Sequence, residues 1–332
     1  MDFIFDKVGV LDIRKKRYHH IGVMGNEEHT TSFQGKLTKT LHLGQAGAIL
    51  GCGISYDDET VASCATDNKV LLWDVNTGQC QGSLDGHASD VTRCSFGKEI
   101  LATGSRDGTV ILWRYADNKR CSKITVHSTE ITSCTISPNH KYLLTTSADT
   151  HCRVWTIRGG NGEFIQGPKF IELFHEGEKY KFSDASFSSD SCAIVTSSTD
   201  GQVKLWDSEN GQKLLDLCSD EGEILSARFS SDGKYLITMV KKCVKIWNIA
   251  KKKVSWSIED AKGFQALASH STENMFILIA QDGSISGYDI THKQELFKRS
   301  TDHRGPVLSC NFSPSGNLAC TGGIDGKLLV WL

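Results

Sequence analysis

The stretch 84-LDGHASDVTRCSFGKEILATGSRDGTVILW-113 carries the pattern on which the fold of the whole chain depends. It ends in a run of β-forming residues that closes on Trp113, and Asp107 stands six residues before that tryptophan. The Asp107-Gly108 pair is typical of a tight turn. The stretch is therefore predicted to form strands joined by short turns.

The same frame recurs along the chain at steps of 40, 42, 51, 41, 41 and 43 residues. The aromatic residues that end each unit are Trp73, Trp113, Trp155, Trp206, Trp247, Tyr288 and Trp331. The aspartates six residues before them are Asp67, Asp107, Asp149, Asp200, Asp282 and Asp325. A period of about 41 residues indicates one modular array.

This frame resembles the WD-repeat family, whose members are β-propellers with four-stranded antiparallel blades. The resemblance covers residues 37–332 as seven recognisable repeats, and an "LWD" motif recurs at Trp73 and Trp206. It implies an all-β fold in which residues 1–332 form a single closed ring. Each repeat would supply the outer strand of one blade and three inner strands of the next, so the final strand needs a partner from the amino-terminal part.

Two ring closures fit the sequence. With seven blades, Leu37–Leu43 pairs with the last strand and residues 1–36 are an extension. With eight, residues 1–36 form a degenerate first blade, in which Phe33 takes the aromatic position 40 residues before Trp73 and Phe3–Phe5 is the closing strand. Dividing 332 residues by a period of 41 gives about 8.1. We therefore expect eight blades, with seven as the alternative.

Composition excludes several classes of function. The 37 basic and 39 acidic residues leave a net charge of −2, which provides no overall field to hold nucleic acid. No apolar run approaches the ~18 residues of a membrane span. Asp2 and Asp6 do not fit a signal sequence, so we expect a soluble cytoplasmic protein, with the nucleus as a second location. No phosphate-binding loop or zinc-ligand cluster occurs, and no cofactor or metal is expected.

The resemblance also implies a structural network. In it Asp107 holds His87, and His87 is linked through Ser105 to the indole N–H of Trp113. The residues that repeat all or part of this set are His127, Ser147, Asp149 and Trp155, then Ser198, Asp200 and Trp206, then His303, Asp325 and Trp331. Met239 and Lys241 take the serine and aspartate places before Trp247. That blade is expected to be held by packing alone and to be the most mobile.

Three of these residues, His87, Ser105 and Asp107, are also the types that form a nucleophile relay in serine hydrolases. The set recurs in several blades, and no Gly-x-Ser-x-Gly elbow surrounds Ser105. The structural interpretation is therefore favoured, and no catalytic residue is expected.

Twelve cysteines occur without any Cys-x-x-Cys pair. Four of them hold one repeated place: Cys52, Cys94, Cys134 and Cys310. Separate blades should keep their thiols beyond the reach of a disulfide, so we expect them to act as small buried hydrophobic residues.

Basic runs at Arg14–Arg17, Lys241-Lys242 and Lys251–Lys253 suggest nucleic-acid or lipid binding as an alternative function. The second and third runs should lie at opposite ends of one blade, which favours solvated loop charge. The insertion Thr156–Phe170 is expected on the bottom face, either as a tolerated loop or as a partner-binding protrusion.

The wide top face is the usual binding surface of the family that this chain resembles. Projecting repeat positions onto it gives the candidate partner-binding residues Leu50, Thr66, Asp90, Arg106, Glu130, Lys181, Leu225, Pro306, Leu308 and Ile324. The apolar members in neighbouring blades, Leu50, Pro306, Leu308 and Ile324, are predicted to form a patch beside charged ones. Such a surface suits a peptide with a hydrophobic anchor and a charged flank. Alternatively, the leucines partly fill the central channel.

We therefore predict a non-enzymatic scaffold that binds a segment of a protein partner on its top face. The stretch 242-KCVKIWNIAKKKVSWSIEDAKGFQ-265 is loosely similar to the regulatory propellers of apoptotic nucleotide-binding factors. This similarity implies, as an alternative, a ligand-sensing module of a larger apoptosome-like protein.

Overall fold

The computed structural model describes residues 33–41, 47–157, 170–173, 180–218 and 222–332. These residues form 28 β-strands in seven four-stranded antiparallel sheets. Six sheets use four strands that are consecutive in the chain, and the seventh joins the last three strands to the first one. The sheets are the blades of a propeller and are numbered here from 1 to 7.

The strands of the first four blades follow the chain in order. Blade 1 consists of β2 (Ile49–Ile54), β3 (Thr60–Ala65), β4 (Lys69–Asp74) and β5 (Cys80–Asp85). Blade 2 consists of β6 (Val91–Phe96), β7 (Ile100–Ser105), β8 (Thr109–Arg114) and β9 (Lys119–Thr125). Blade 3 consists of β10 (Ile131–Ile136), β11 (Tyr142–Ser147), β12 (Cys152–Thr156) and β13 (Phe170–Leu173). Blade 4 consists of β14 (Phe182–Phe187), β15 (Ala193–Ser198), β16 (Gln202–Asp207) and β17 (Lys213–Cys218).

The remaining blades complete the ring. Blade 5 consists of β18 (Ser226–Phe229), β19 (Tyr235–Met239), β20 (Cys243–Asn248) and β21 (Lys253–Glu259). Blade 6 consists of β22 (Phe264–Ser269), β23 (Met275–Ala280), β24 (Ser284–Asp289) and β25 (Gln294–Ser300). Blade 7 consists of β26 (Val307–Phe312), β27 (Ala319–Gly323), β28 (Leu328–Trp331) and β1 (Leu37–Leu41).

The first strand of each blade contacts the first strand of the next, all the way around the ring, so these strands are the innermost. The hydrophobic core lies between blades: Leu72 of blade 1 packs in one cluster with Phe96 and Trp113 of blade 2. The second strands are almost entirely buried, and β3 and β7 are buried along their whole length, because a blade lies on each side of them. The core therefore explains why these segments are rich in β-forming apolar residues.

The expectation of eight blades is wrong, because β1 takes the fourth place in blade 7. Strand β1 pairs with β28 in antiparallel register, from Leu37 opposite Trp331 to Leu41 opposite Leu328. The pairing extends to Lys36 and Leu332, whose backbones exchange hydrogen bonds of 2.7 and 2.8 Å. This is the closure expected for a seven-bladed ring, and it leaves no exposed edge on β28.

Phe33 shows why the repeat count misled. It has the spacing of a closing aromatic, but it lies outside any strand and is buried between blades 6 and 7. Its ring contacts Phe312 edge-on at 5.0 Å between centroids and lies 5.9 Å from Phe297. Dividing the chain length by the period assigned every residue to a blade. The expected closing strand Phe3–Phe5 and the rest of the degenerate unit before Phe33 lie outside the described residues.

Candidate functional site

A buried hydroxyl joins the tryptophan of a blade to its second strand. Trp113 Nε1 donates to Thr103 Oγ1 at 2.9 Å, and His87 Nε2 lies 2.8 Å from the same hydroxyl. The same bond, at 2.8 to 3.0 Å, joins Trp73 to Ser63, Trp155 to Thr145, Trp206 to Thr196, Trp247 to Thr238 and Trp331 to Thr321. The linking residue is thus a serine or threonine nine or ten residues before the tryptophan.

This geometry corrects the predicted place of Ser105. Its Oγ accepts a hydrogen bond from the Asp107 backbone N–H at 3.2 Å and donates to the Ser89 carbonyl at 3.1 Å, so it holds the turn. His87 Nδ1 lies 3.0 Å from Thr109 Oγ1 and 3.7 Å from Asp107 Oδ1. Ser105 and His87 therefore do not form a nucleophile relay.

The other predicted sets divide in the same way. His127 Nδ1 lies 3.1 Å from Asp149, and His303 Nδ1 lies 3.1 Å from Asp325. Ser147 Oγ accepts from the Asp149 backbone N–H at 3.1 Å. Ser198 Oγ donates to Asp200. In these blades the predicted serines thus stabilise turns, while threonines connect to the indoles.

Blade 5 does not depend on packing alone, contrary to expectation. Trp247 Nε1 donates to Thr238 Oγ1 at 2.9 Å even though Met239 and Lys241 replace the usual serine and aspartate. The prediction placed the linking hydroxyl eight residues before the tryptophan, where Met239 stands, and therefore missed Thr238.

The histidines of the network are neutral near pH 7. Burial lowers the pKa of His87 to about 4, and it outweighs the opposing effect of Asp107. Burial lowers the pKa of His127 to about 4 as well, although Asp149 favours its charged form. A neutral ring can accept from one neighbour and donate to another, as these contacts require.

The residues predicted for the top face lie along one edge of the ring. In six blades, the residue before the turn aspartate, or its counterpart, donates its backbone N–H to a carbonyl just before the first strand. These pairs are Thr66 with Ala48, Arg106 with Asp90, Ala148 with Glu130, Thr199 with Lys181, Gln281 with Gly263 and Ile324 with Pro306, at 2.8 to 3.2 Å. The two repeat positions used in the prediction are therefore neighbours at this edge.

A bulge projects one residue of the first strand at this edge. The register shifts just after the first residue of the pairing in every blade except blade 5, and the bulged residues are Leu50, Thr92, Thr132, Ser183, Gln265 and Leu308. Three polar members bind the following blade: Thr92 Oγ1 donates to the Ile131 carbonyl at 2.6 Å, Ser183 Oγ donates to the Ile224 carbonyl, and Gln265 Oε1 accepts from Val307 N–H at 3.0 Å.

Leu50 and Leu308 depart from this pattern in neighbouring blades. Their side chains are half-buried and lie outside the hydrophobic clusters of the described residues. Blades 7 and 1 are joined beneath them by Cys52 N–H, which donates to Ser309 Oγ at 3.1 Å. Ile324, which is 52% exposed, lies beside exposed Pro306. We call Leu50, Pro306, Leu308 and Ile324 the apolar surface.

Charged residues of blades 2 and 3 lie next along the ring. Arg106 Nη1 donates to Asp90 at 2.7 Å, and its Nε donates to Glu130 at 3.1 Å. Since Arg106 is about half exposed, its ion pairs contribute little to folding. The two carboxylates and one guanidinium leave one net negative charge beside the apolar surface.

The remaining predicted residues are less suited to contact a partner. Leu225 packs against the core between blades 5 and 6. Thr66 is exposed, and its Oγ1 accepts from Ala48 N–H at 3.1 Å. Lys181 is exposed in blade 4, away from the apolar surface.

The alternative sites have different outcomes. Cys52, Cys94 and Cys134 are buried as predicted, whereas Cys310 is half-buried, and no disulfide joins the described cysteines. Strand β20 separates Lys241-Lys242 from Lys251–Lys253. The run Arg14–Arg17 and residues 158–169 of the insertion lie outside the described residues.

Two further features were sought in the described part of the chain. It contains no cluster of three or more His, Cys, Asp or Glu side chains arranged to hold a metal ion. Nor does it contain a helix long and apolar enough to cross a membrane.

Comparison with known proteins identifies the family. Residues 48–332 match the family model described as the IFT122 first beta-propeller. The chain belongs to this family. The match confirms the WD-repeat β-propeller resemblance and covers all seven blades except β1.

Individual relatives are more distant. Apoptotic protease-activating factor 1 of Danio rerio is 41% identical over 96 residues, which are 29% of this chain and 7% of that protein. Serine-threonine kinase receptor-associated protein of Gallus gallus is 24% identical over 238 residues, covering 59% and 65%. Eukaryotic translation initiation factor 3 subunit I of Anopheles gambiae is 22% identical over 311 residues, covering 85% and 80%. The chain spans less than two thirds of the first two.

Proposed function

We propose that this propeller is a non-enzymatic scaffold that binds a segment of a protein partner at the edge where its first strands begin. The observation that carries the proposal is the replacement of polar bulge residues by Leu50 and Leu308 in adjacent blades. Thr92, Ser183 and Gln265 show that this position can bind the next blade by a hydrogen bond. Leucine gives up that bond and adds apolar surface, which suits contact with a partner.

The surroundings support the same proposal. Ile324 and Pro306 extend the apolar surface outward, and Asp90, Arg106 and Glu130 place charges beside it. An apolar centre with a charged rim is typical of surfaces that bind peptide segments. The basic runs of blade 5 lie at opposite ends of β20, so they do not combine into one patch for nucleic acid.

The test compares Ile324→Asp with Val254→Asp as a matched control. Both side chains are exposed, at 52% and 40%, but Val254 lies on the outer strand β21 of blade 5. Proteins captured from cell extract by the wild type should include one that Val254→Asp retains and Ile324→Asp loses. A synthetic segment of that partner should then compete for the wild type. If Ile324→Asp retains every captured protein, this surface is not the binding site.

A further inference from the structure

Arg93 of blade 2 contacts the backbone of Leu50, a residue of the apolar surface, and was not among the residues predicted from sequence. It lies in β6, the innermost strand of blade 2, directly after the bulged residue Thr92. Its Nη1 donates to the carbonyl of Thr92 at 2.8 Å and to the carbonyl of Leu50 in blade 1 at 3.2 Å. The guanidinium is thus held half-buried against the backbone of a residue that forms the apolar surface.

Arg93 forms no ion pair with any of the described residues. Two other arginines in the described part of the chain are half-buried, and both have a carboxylate partner. Arg153 contacts Glu172 at 3.3 Å, and Arg228 is bonded to Asp184. Asp184 also accepts from Ser226 Oγ at 2.6 Å, which completes that network. Arg93, in contrast, has no carboxylate within ion-pairing distance among the described residues, and only its Nη1 is engaged. Its Nε and Nη2 remain as donors.

These donors define the chemistry of a ligand. A guanidinium presents N–H groups in a planar fork that matches a carboxylate through two parallel hydrogen bonds. A half-buried ion pair is screened less by salt than one on the open surface. Because Arg93 Nη1 is bonded to the carbonyl of Leu50, a carboxylate bound by Arg93 would lie beside the apolar surface.

We propose that Arg93 binds an aspartate or glutamate side chain of the partner segment, next to an apolar residue that contacts Leu50, Leu308 and Ile324. This inference rests on the proposed function and specifies the sequence of the partner: an acidic residue beside a hydrophobic one. The acidic side chain enters the central opening, and the hydrophobic residue stays at its rim.

The experiment uses random 12-residue peptides displayed on phage and selected on the full chain. Peptides that bind the wild type and not Ile324→Asp are synthesised with amidated carboxyl ends, and their affinities are measured by fluorescence polarisation. They should share an Asp or Glu next to an apolar residue. Changing the shared Asp or Glu to Asn or Gln should weaken binding to the wild type about tenfold and leave binding to Arg93→Gln unchanged.

Three variants, Arg93→Gln, Arg93→Lys and Arg120→Gln, distinguish a specific role of Arg93 from a general effect of charge. Arg93→Lys keeps the charge and should retain part of the affinity, whereas Arg120→Gln, on the exposed outer strand β9, should bind like the wild type. Each variant is first shown to melt like the wild type. Peptides without a shared acidic residue, or with equal affinity for Arg93→Gln, would overturn the role of Arg93 and leave the proposed surface intact. If every peptide from the phage selection bound Ile324→Asp as well as the wild type, none would depend on the apolar surface. That result would instead overturn the proposed function.

Discussion

Thr38 Oγ1 donates a hydrogen bond to the carbonyl of Val330, 2.9 Å away and 292 residues later in the chain. The bond lies within the pairing of β1 with β28, where the first and last strands of the ring complete blade 7. The side chain of Leu41, at the end of β1, is buried with Trp73 and Val330. The closure thus depends on apolar packing as well as on backbone hydrogen bonds.

We predict that Leu41→Ala lowers the free energy of unfolding by about 2–4 kcal/mol, because it leaves a cavity between blades 7 and 1. Gln34→Ala, at an exposed position before β1, should change it by less than about 0.5 kcal/mol. Urea unfolding monitored by circular dichroism measures both. Equal stability of the two variants would show that β1 is not needed to hold the ring.

The hydroxyl of Thr103 should contribute strongly to the free energy of unfolding. Thr103→Val leaves the buried Trp113 Nε1 and His87 Nε2 without their partner, so we expect a loss of about 2–4 kcal/mol. Thr103→Ser keeps the hydroxyl and should lose only about 1 kcal/mol for the missing methyl group. Denaturant titration of the two variants distinguishes them, and a valine variant as stable as the serine variant would contradict the network.

The free energy of unfolding should decrease as the pH is lowered through the range in which the unfolded histidines become protonated. His87 and His127 have pKa values lowered from 6.5 to about 4, so the folded state keeps them neutral while the unfolded chain takes up protons. The free energy of unfolding therefore decreases as the pH falls from about 6.5 to about 4, by at most roughly 3 kcal/mol per histidine. Below that range the folded rings also become protonated, and this contribution no longer changes.

The measurement is urea unfolding at several pH values for the wild type and His127→Gln. Glutamine does not titrate, so the variant should lose less stability than the wild type between pH 6.5 and 4, whatever its stability at pH 7. Identical slopes in this window would show that His127 does not cause the loss.

Two glycines with similar backbone angles should respond differently to alanine. Gly108 and Gly233 have φ values of +77° and +67°, which cost any L-residue roughly 1–2 kcal/mol. A Cβ on Gly108 would lie 2.3 Å from the His127 carbonyl oxygen, whereas a Cβ on Gly233 meets nothing within 4 Å. Gly108→Ala should therefore be the less stable variant by at least about 1–3 kcal/mol in thermal or urea unfolding. Equal losses would mean that the blade 2 turn adjusts without cost.

Arg106→Ala should leave the free energy of unfolding within about 1 kcal/mol of the wild type, because the Arg106 side chain in both ion pairs is 52% exposed. The change is measured by denaturant titration at low and moderate salt. A larger loss would mean that the three charged residues stabilise the ring.

Much of the fold could be predicted because each blade repeats the same local chemistry. The spacing from Asp107 to Trp113 recurs since a turn aspartate and a closing aromatic are needed in nearly every blade. The number of blades could not be predicted in this way, since Phe33 has the right spacing but fills a space between blades, which only the tertiary structure reveals.

The residues of the predicted top face could be placed from their positions in the repeat, because backbone pairs such as Arg106 with Asp90 recur at one edge of the ring. Its chemistry was harder to predict. A serine near the turn and a threonine two residues earlier look equivalent in sequence, and only the direction of the side chains shows that Thr103 reaches Trp113. Arg93 shares no repeat position with another arginine, so no pattern singled it out.

The pairing of β1 with β28 also has a consequence for synthesis on the ribosome. Strand β1 emerges 290 residues before Trp331, at the end of its partner. At 5–20 residues per second, its edge waits about 15–60 s for that partner. An unpaired edge of this kind can recruit strands from other chains. The nascent protein should therefore need a chaperone, or early packing of Leu41 against Trp73 of blade 1, to reach the closed ring without aggregating.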